Sequence, residues 1–333
     1  MMFNIKDDKT LLMCLKKVLK TLLLTICINM MALADDDLLA NWNFKIAVLS
    51  PEVRKPYSAF FEAIIDGIEK DANVKVIIKS INESTPPSSI TDWLNEQKPD
   101  AAILLGGGIK SLNSNLNGPY KVVYGASFFS NEDIQSGLNG ISITPDPGLL
   151  FSELKKLSQQ TKYVHVVYHP GTNGWLVKKA RKSATNLGLR LIEHAVENSQ
   201  QAARAYREIA QTSNHLAENA LWLLQNDPTL DEKSLLPKIL ADAWQYEQLV
   251  ISSNPAHVKR GALLSLLPDN NRLGRELAKT AVRAINGQRG EIEPMKSSLV
   301  AINIRTAKHL SLTITPSQES QFTLVYPRKK TND

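Results

Sequence analysis

The sequence predicts an α/β protein of two doubly wound parallel-sheet lobes joined by a multi-strand hinge. Three observations carry that prediction. Short apolar runs of the kind buried on both faces alternate with amphipathic helical segments, the pattern of βα repetition. The rhythm runs twice, and the two runs are divided at "TPDPG", Thr144–Gly148, which no regular element tolerates. Beyond residue 261 the chain holds too little alternation for a third unit, so it must return to the lobes already built.

The first run starts with "FKIAVLS" (44–50), a short apolar strand, and "YSAFFEAIIDGIEKD" (57–71), apolar at helical spacing. A strand, "VKVIIKSI" (74–81), and a helix, "SITDWLNEQ" (89–97), with Ser89 or Thr91 placed as its cap, come next. "DAAILLGGG" (100–108) is a strand ending in three glycines, "KVVYGASFF" (121–129) another, and "GISIT" (140–144) closes the run.

The second run alternates helix 147–160, strand 163–169, helix 175–188, strand 189–196, a helix from 199, strand 219–227, a helix from 232 and strand 248–254. "GALLSLLPD" (261–269) reads as a crossing segment, 271–287 as an amphipathic helix closed by Gly287, and 298–314 as a strand or two around a short helix. Residues 44–145 with about 262–297 are therefore expected to form lobe 1. Residues 146–261 with about 298–316 form lobe 2, and 317–333 a C-terminal tail.

The 333 residues are 43% hydrophobic and 22% charged, a globular composition. Lys16, Lys17 and Lys20 precede an apolar stretch of about a dozen residues that ends at Ala32-Leu33-Ala34, the plan of a cleaved secretory signal over residues 1–34. The expected location is then the periplasm, with Met1 or Met13 as the start. Those 34 residues hold five Lys and two Asp, so the formal +6 falls to +3 in the remainder, too mild for nucleic acid. Both cysteines, Cys14 and Cys27, fall in the same segment, which leaves the exported chain no disulfide, thiol nucleophile or cysteine-held metal.

Motifs for catalysis are missing. "GGG" (106–108) has no G-x-G-x-x-G continuation and no Walker lysine follows. Ser127 in "GASFF" lacks the trailing glycine of a nucleophile elbow. The six histidines are dispersed, without metal spacing. No cofactor, metal or catalytic residue is expected. What remains is a set of small, polar and aromatic strand ends, where open α/β sheets bind ligands. They are Ser50 and Glu52, Gly106–Gly108, Gly125–Phe128, His169–Trp175, Gln225–Asp227 and Ser252–Asn254. Asp227 reads equally well as an acceptor for a ligand ammonium or hydroxyl and as a turn cap. The start of the helix at Thr172–Gly174 is placed to offer N–H groups to an anionic ligand group. Trp175 is a stacking wall or core, with core favoured.

Taken in order, "GISITPDPGLLFSELKKL", "VHVVYHPGTNGWLVKKARKSATNLGLRL", "ALWLLQNDPTLDEKSLLPKIL", "GALLSLLPDNNRLGRELAKTAVRAINGQ" and "INIRTAKHLSLTI" resemble the ABC-transporter substrate-binding proteins of the type I periplasmic-binding-protein fold, specifically the group of tryptophan and other amino-acid binders. The resemblance spans about residues 44–315. It implies a monomer that takes a small polar, amino-acid-like molecule into an interlobe cleft for an ABC permease. The implied ligand positions are Ser50, Gly106, Gly107, Gly108, Ala126, Ser127, Thr172, Asn173, Asp227, Ser253 and Asn254. Phe128-Phe129 stands where the family often has Asp-Pro, and Gln225-Asn226 precedes the acidic residue in place of small hydroxyls; both leave the ligand's identity open. An exported sensor or accessory protein and a cleft enzyme are the alternative readings.

Overall fold

The computed structural model describes residues 44–71, 74–82, 84–110, 116, 118–212 and 218–328. The expected signal at 1–34, with both cysteines, lies outside them.

Lobe 1 is built by β1 (Phe44–Pro51), α1 (Tyr57–Glu69), β2 (Val74–Ile81), α2 (Pro87–Gln97), β3 (Ala101–Leu105), α3 (Gly107–Lys110), β4 (Lys121–Ser127), α4 (Asn131–Gln135) and β5 (Gly140–Pro145). Its six-stranded sheet, in the order β11-β5-β4-β3-β1-β2, is parallel throughout and borrows β11 (Ile292–Met295) from late in the chain. All five residues of β3 are buried, as a central strand covered on both faces requires.

Lobe 2 continues with α5 (Pro147–Leu157), β6 (Tyr163–Tyr168), α6 (Pro170–Asn186), β7 (Arg190–Ala195), α7 (Ser199–Thr212), β8 (Asn219–Leu223), α8 (Leu235–Gln245), β9 (Leu249–Ser252), α9 (Ala256–Arg260) and β10 (Leu264–Pro268). After α10 (Asn270–Ile285), which lies on lobe 1, and β11 come β12 (Ser298–Asn303), α11 (Ile304–His309), α12 (Pro316–Glu319) and β13 (Leu324–Tyr326). The seven strands lie in the order β13-β12-β10-β9-β8-β6-β7.

Two lobe limits differ from the sequence expectation. Leu264–Pro268 is a strand of the second sheet, parallel to β9 and antiparallel to β12, so the chain returns to lobe 1 at Asp269 and not near 262. Within the expected tail 317–333, β13 adds parallel to β12, with Ala301 opposite Leu324. Local pattern reveals a strand but not its partner.

Against the lobe 1 sheet, Leu273, Leu277, Ala278 and Ala281 of α10 share a core with Ile46, Val48, Ile64 and Ile68. Burying each such aliphatic side chain contributes about 1.5–3 kcal/mol. A second apolar cluster runs from Leu49, Leu104, Tyr124 and Phe129 into Phe151, Trp175, Leu176 and Trp222 of lobe 2. The lobes therefore share buried surface as well as connecting chain.

Three crossings join them, at Pro145–Pro147, Pro268–Asn270 and Met295–Ser298. They lie side by side: Asp146 N donates to Met295 O at 2.8 Å and Asp269 N to Ser297 O at 3.0 Å. This fixes the orientation of both sheets. β5 leaves lobe 1 by its C-terminal end, and β1, β3 and β4 run in the same direction. β10 leaves lobe 2 by its C-terminal end, and β6, β8 and β9 run in that direction. The C-terminal strand ends of both lobes thus point toward the hinge and each other.

Candidate functional site

On lobe 1, Ser50 is the last residue but one of β1 and is 5% exposed. Gly106 follows β3 with φ +88°, a conformation glycine takes without strain, and its N–H reaches Gly125 O at 2.9 Å. Gly107 opens α3; a Cβ there would lie 3.6 Å from Ser127 Oγ, so the ends of β3 and β4 are neighbours. Around Gly108 a Cβ would meet nothing within 4 Å. Ala126 has φ +54°, a left-handed turn where alanine costs about 1 kcal/mol or more. The pairing of β4 with β5 shifts register between Tyr124 and Ser127, and that bend turns buried Ser127 onto the rim.

On lobe 2 the centre is Asp227, 7% exposed. Its Oδ2 accepts from His169 N at 2.9 Å and Asn173 Nδ2 at 2.8 Å; its Oδ1 accepts from Thr229 N at 3.0 Å and Thr229 Oγ1 at 2.6 Å. The carboxylate therefore sits at the start of the 17-residue α6, where the helix field favours an anion. It makes no ion pair with a side chain among the described residues. The N–H groups of Thr172 and Asn173 turn back to His169 O, at 3.2 and 2.9 Å. α6 begins at Pro170, the N–H groups of Thr172 and Asn173 are engaged within its first turn, and the carboxylate beside its start is the protein's own Asp227.

Beside Asp227 lies a cavity of about 320 Å³ whose wall includes Thr172, Asn226, Asp227 and Glu232 and no basic side chain. Asn226 takes φ +58°, which turns the chain sharply after β8. Ser253 is buried and its Oγ accepts from Trp222 Nε1 at 2.9 Å. Asn254 Nδ2 donates to Glu232 Oε1 at 3.0 Å, which ties the end of β9 to this cavity.

A serine, a histidine and a glutamate also stand in line. Ser252 Oγ is 2.8 Å from His257 Nδ1, and His257 Nε2 is 3.2 Å from Glu232 Oε1. Burial holds the His257 imidazole below its ordinary value. Both Ser252 and His257 are 0% exposed, and Ser252 Oγ also accepts from Asn254 N at 2.9 Å. The hydroxyl is out of a ligand's reach, so the network braces the turn 252–257.

The chain thus brings Gly107 beside Ser127 and Asn173 against Asp227, and it ties Asn254 to Glu232. The two rims face each other through the hinge geometry. Sequence reasoning missed the bonds that link the lobes beside the cleft. Asn131 Nδ2 donates to Pro170 O at 2.8 Å, and Trp175 Nε1 to Phe129 O at 2.8 Å. Lys179 Nζ lies 2.9 Å from Glu291 and 3.1 Å from Glu293. The 175/179 spacing on α6 was the available signal; its partners are distant in sequence.

The profile of the ABC transporter substrate binding protein family matches residues 151–321, just over half of the chain. No curated protein matches. Among solved structures, a ligand-free, open substrate binding protein with adhesive properties from Clostridium difficile is 15% identical, covers 86% of this chain and 100% of its own, and has a TM-score of 0.59. An ABC domain in complex with L-Trp from Streptococcus pneumonia is 20% identical, covers 85% and 99%, and has a TM-score of 0.50.

Proposed function

Because the chain belongs to the ABC transporter substrate binding protein family, with the type I periplasmic-binding-protein fold, we propose that it captures a small amino-acid-like molecule between its lobes for delivery to an ABC importer in the periplasm. One observation carries this reading most directly. The three crossings aim the C-terminal strand ends of both sheets at one cleft, and those ends carry hydroxyls, amides, glycines and a carboxylate. Closure is a hinge motion, driven by the ligand's higher affinity for the closed form.

Charge supports an amine-bearing ligand. The lobe 2 rim presents Asp227 and Glu232 without a basic side chain in the cavity wall; Glu232 is answered from outside that wall by Arg260 at 3.9 Å, so Asp227 supplies the charge. An ammonium suits that field, with Thr172 and Asn226 beside it. Ser50, Ser127 and the backbone at Gly107 supply donors on lobe 1 for the ligand's other end. Asp227, whose oxygens are already hydrogen-bonded, holds Asn173 and the start of α6 and contributes its charge. The residues assigned to the site are Ser50, Gly106, Gly107, Gly108, Ala126, Ser127, Thr172, Asn173, Asp227, Ser253 and Asn254, joined by Asn226. We assign no catalytic step, and the protein works as a monomer.

A thermal-shift screen against amino acids, nucleosides, sugars and small acids tests the reading. A ligand that binds only the folded state raises stability by about 2.7 kcal/mol at a hundred times its dissociation constant. The expected hit carries an amine, and Ser127→Ala and Thr172→Val, one from each rim, weaken it by more than any change in the ligand-free melting temperature explains. Hits confined to molecules without an amine would overturn the ligand class.

A further inference from the structure

A cavity of about 470 Å³ lies at the far end of lobe 2, between the end of α8, α9 and α11. Gln248 stands just before β9 and Gly261 shortly before β10, so the cavity adjoins the N-terminal ends of the strands whose C-terminal ends form the cleft rim. It is a separate place from the cleft.

Its chemistry is the reverse of the cleft's. Lys259, Arg260 and Arg305 line it, and no aspartate or glutamate does. Gln248 in its wall is 3% exposed, and its Nε2 has no hydrogen-bond partner. A buried donor left unmet is costly, and native structures rarely keep one without a reason. Arg305 is held at the wall: its guanidinium lies 5.1 Å from the centre of the Trp244 ring. That ring in turn stacks on His309 at 3.7 Å with 5° between planes, and His309 Nε2 donates to Trp244 O at 2.8 Å.

Part of this charge has an ordinary explanation. Lys259 and Arg260 belong to the last turn of α9, where cations answer the helix dipole, and Arg260 donates to Glu232 O at 2.8 Å and pairs with the Glu232 carboxylate at 3.9 Å. Neither point accounts for Arg305, which is second in α11, at the helix end where a cation is unfavourable. Neither accounts for the unmet amide.

We propose that this cavity is a second binding site, for a small oxyanion held by Arg305, Lys259 and the side-chain amide of Gln248. Phosphate and carboxylate share that chemistry: oxygens that accept several charge-assisted hydrogen bonds at once. The acidic cleft and the basic far cavity sort ligands by charge, so the two sites do not compete.

The test is a thermal-shift titration of the full chain with inorganic phosphate and, in a second arm, with citrate at equal ionic strength. Three variants accompany it: Arg305→Gln, Gln248→Met and the cleft variant Ser127→Ala. The expected result is a saturable rise with at least one anion that survives in Ser127→Ala. In Arg305→Gln and Gln248→Met the affinity falls by about tenfold or more, the scale of one lost charge-assisted hydrogen bond. Gln248→Met fills the same space without the unmet donor and is expected to fold at least as stably without anion, which separates binding from folding. The arm that responds says which oxyanion fits. No saturable rise in either arm, or a rise untouched by both far-cavity variants, overturns the proposal. The cleft reading stands or falls separately, on amine-bearing ligands.

Discussion

The indole Nε1 of Trp175, on lobe 2, donates to the carbonyl of Phe129, on lobe 1, at 2.8 Å. The bond is buried in the apolar cluster that both lobes share, with Trp175 6% and Phe129 4% exposed. It ties the helix whose start Asp227 holds to the bend that presents Ser127. Trp175→Phe keeps most of the apolar area and removes the donor. The expected loss is about 1 kcal/mol, the net worth of one such hydrogen bond, read from urea unfolding. No loss would mean that the bond is incidental to the lobe contact.

One turn further along α6, Lys179 bridges to Glu291 and Glu293 of the other lobe. The two carboxylates share the lysine: burial raises the Glu293 value, and the neighbouring Glu293 together with Lys179 lowers the Glu291 value. The cluster is partly exposed, so Lys179→Met is expected to cost only about 0.5 kcal/mol at low salt. The difference should vanish near 1 M salt, where screening acts over about 3 Å. Unfolding curves of both proteins at two salt concentrations check it.

The two-lobed fold was legible because its cause is local: apolar strands and amphipathic helices alternate, and Pro145 and Pro147 break the alternation. The partner of a strand is not local. "LSLLP" reads as a strand, but only pairing with β9 and β12 places it in lobe 2. The same holds at the site. Asp227 stood out as an acidic residue at a strand end. The bonds from residue 229 are local to the turn, whereas those from residues 169 and 173 depend on how β6 and β8 lie together. Gly106 carried its reason in its type, a positive φ after a strand, and so could be marked from sequence.

Asp227→Asn tests the two roles of that side chain. The amide must turn an NH2 group toward protein donors on one side, either His169 N and Asn173 Nδ2 or Thr229 N. The expected cost is about 1–3 kcal/mol, the range for a buried polar group left mismatched. Under the proposed function the variant also loses the field that favours an amine. Affinity for an amine-bearing ligand should fall further than the stability loss explains, and calorimetry on the folded variant reads that directly.

Glycines let α1 and α10 approach closely on lobe 1. A Cβ on Gly274 would lie 2.0 Å from Ile64 O, and one on Gly67 2.0 Å from Asn271 O. Both obstacles are backbone, so neither can rotate aside. Gly274→Ala is therefore expected to destabilise by about 1–3 kcal/mol or more through overpacking, despite alanine's better helix propensity. The thermal midpoint of the variant checks it; an unchanged midpoint would mean that the helices separate at little cost.

Acid should weaken the fold through a histidine pair on lobe 2. His165 Nδ1 lies 3.2 Å from His194 Nε2, and the rings stack with centres 5.5 Å apart. Burial holds both below the ordinary imidazole value of 6.5, and the nearby His165 lowers His194 further. In the unfolded chain both titrate at ordinary values. As pH falls below about 6.5 the unfolded chain takes up protons that the folded one resists. The stability these histidines contribute is thus complete above that pH and is lost progressively as pH drops through their lower folded values. His257, also depressed by burial, acts in the same direction. Urea midpoints between pH 7.5 and 5 should fall with acid, and fall less steeply in His194→Gln, which cannot be charged. If the wild-type midpoint were flat across that range, the folded protein would have to accept protons at these rings as readily as the unfolded chain, and burial could not be what controls them.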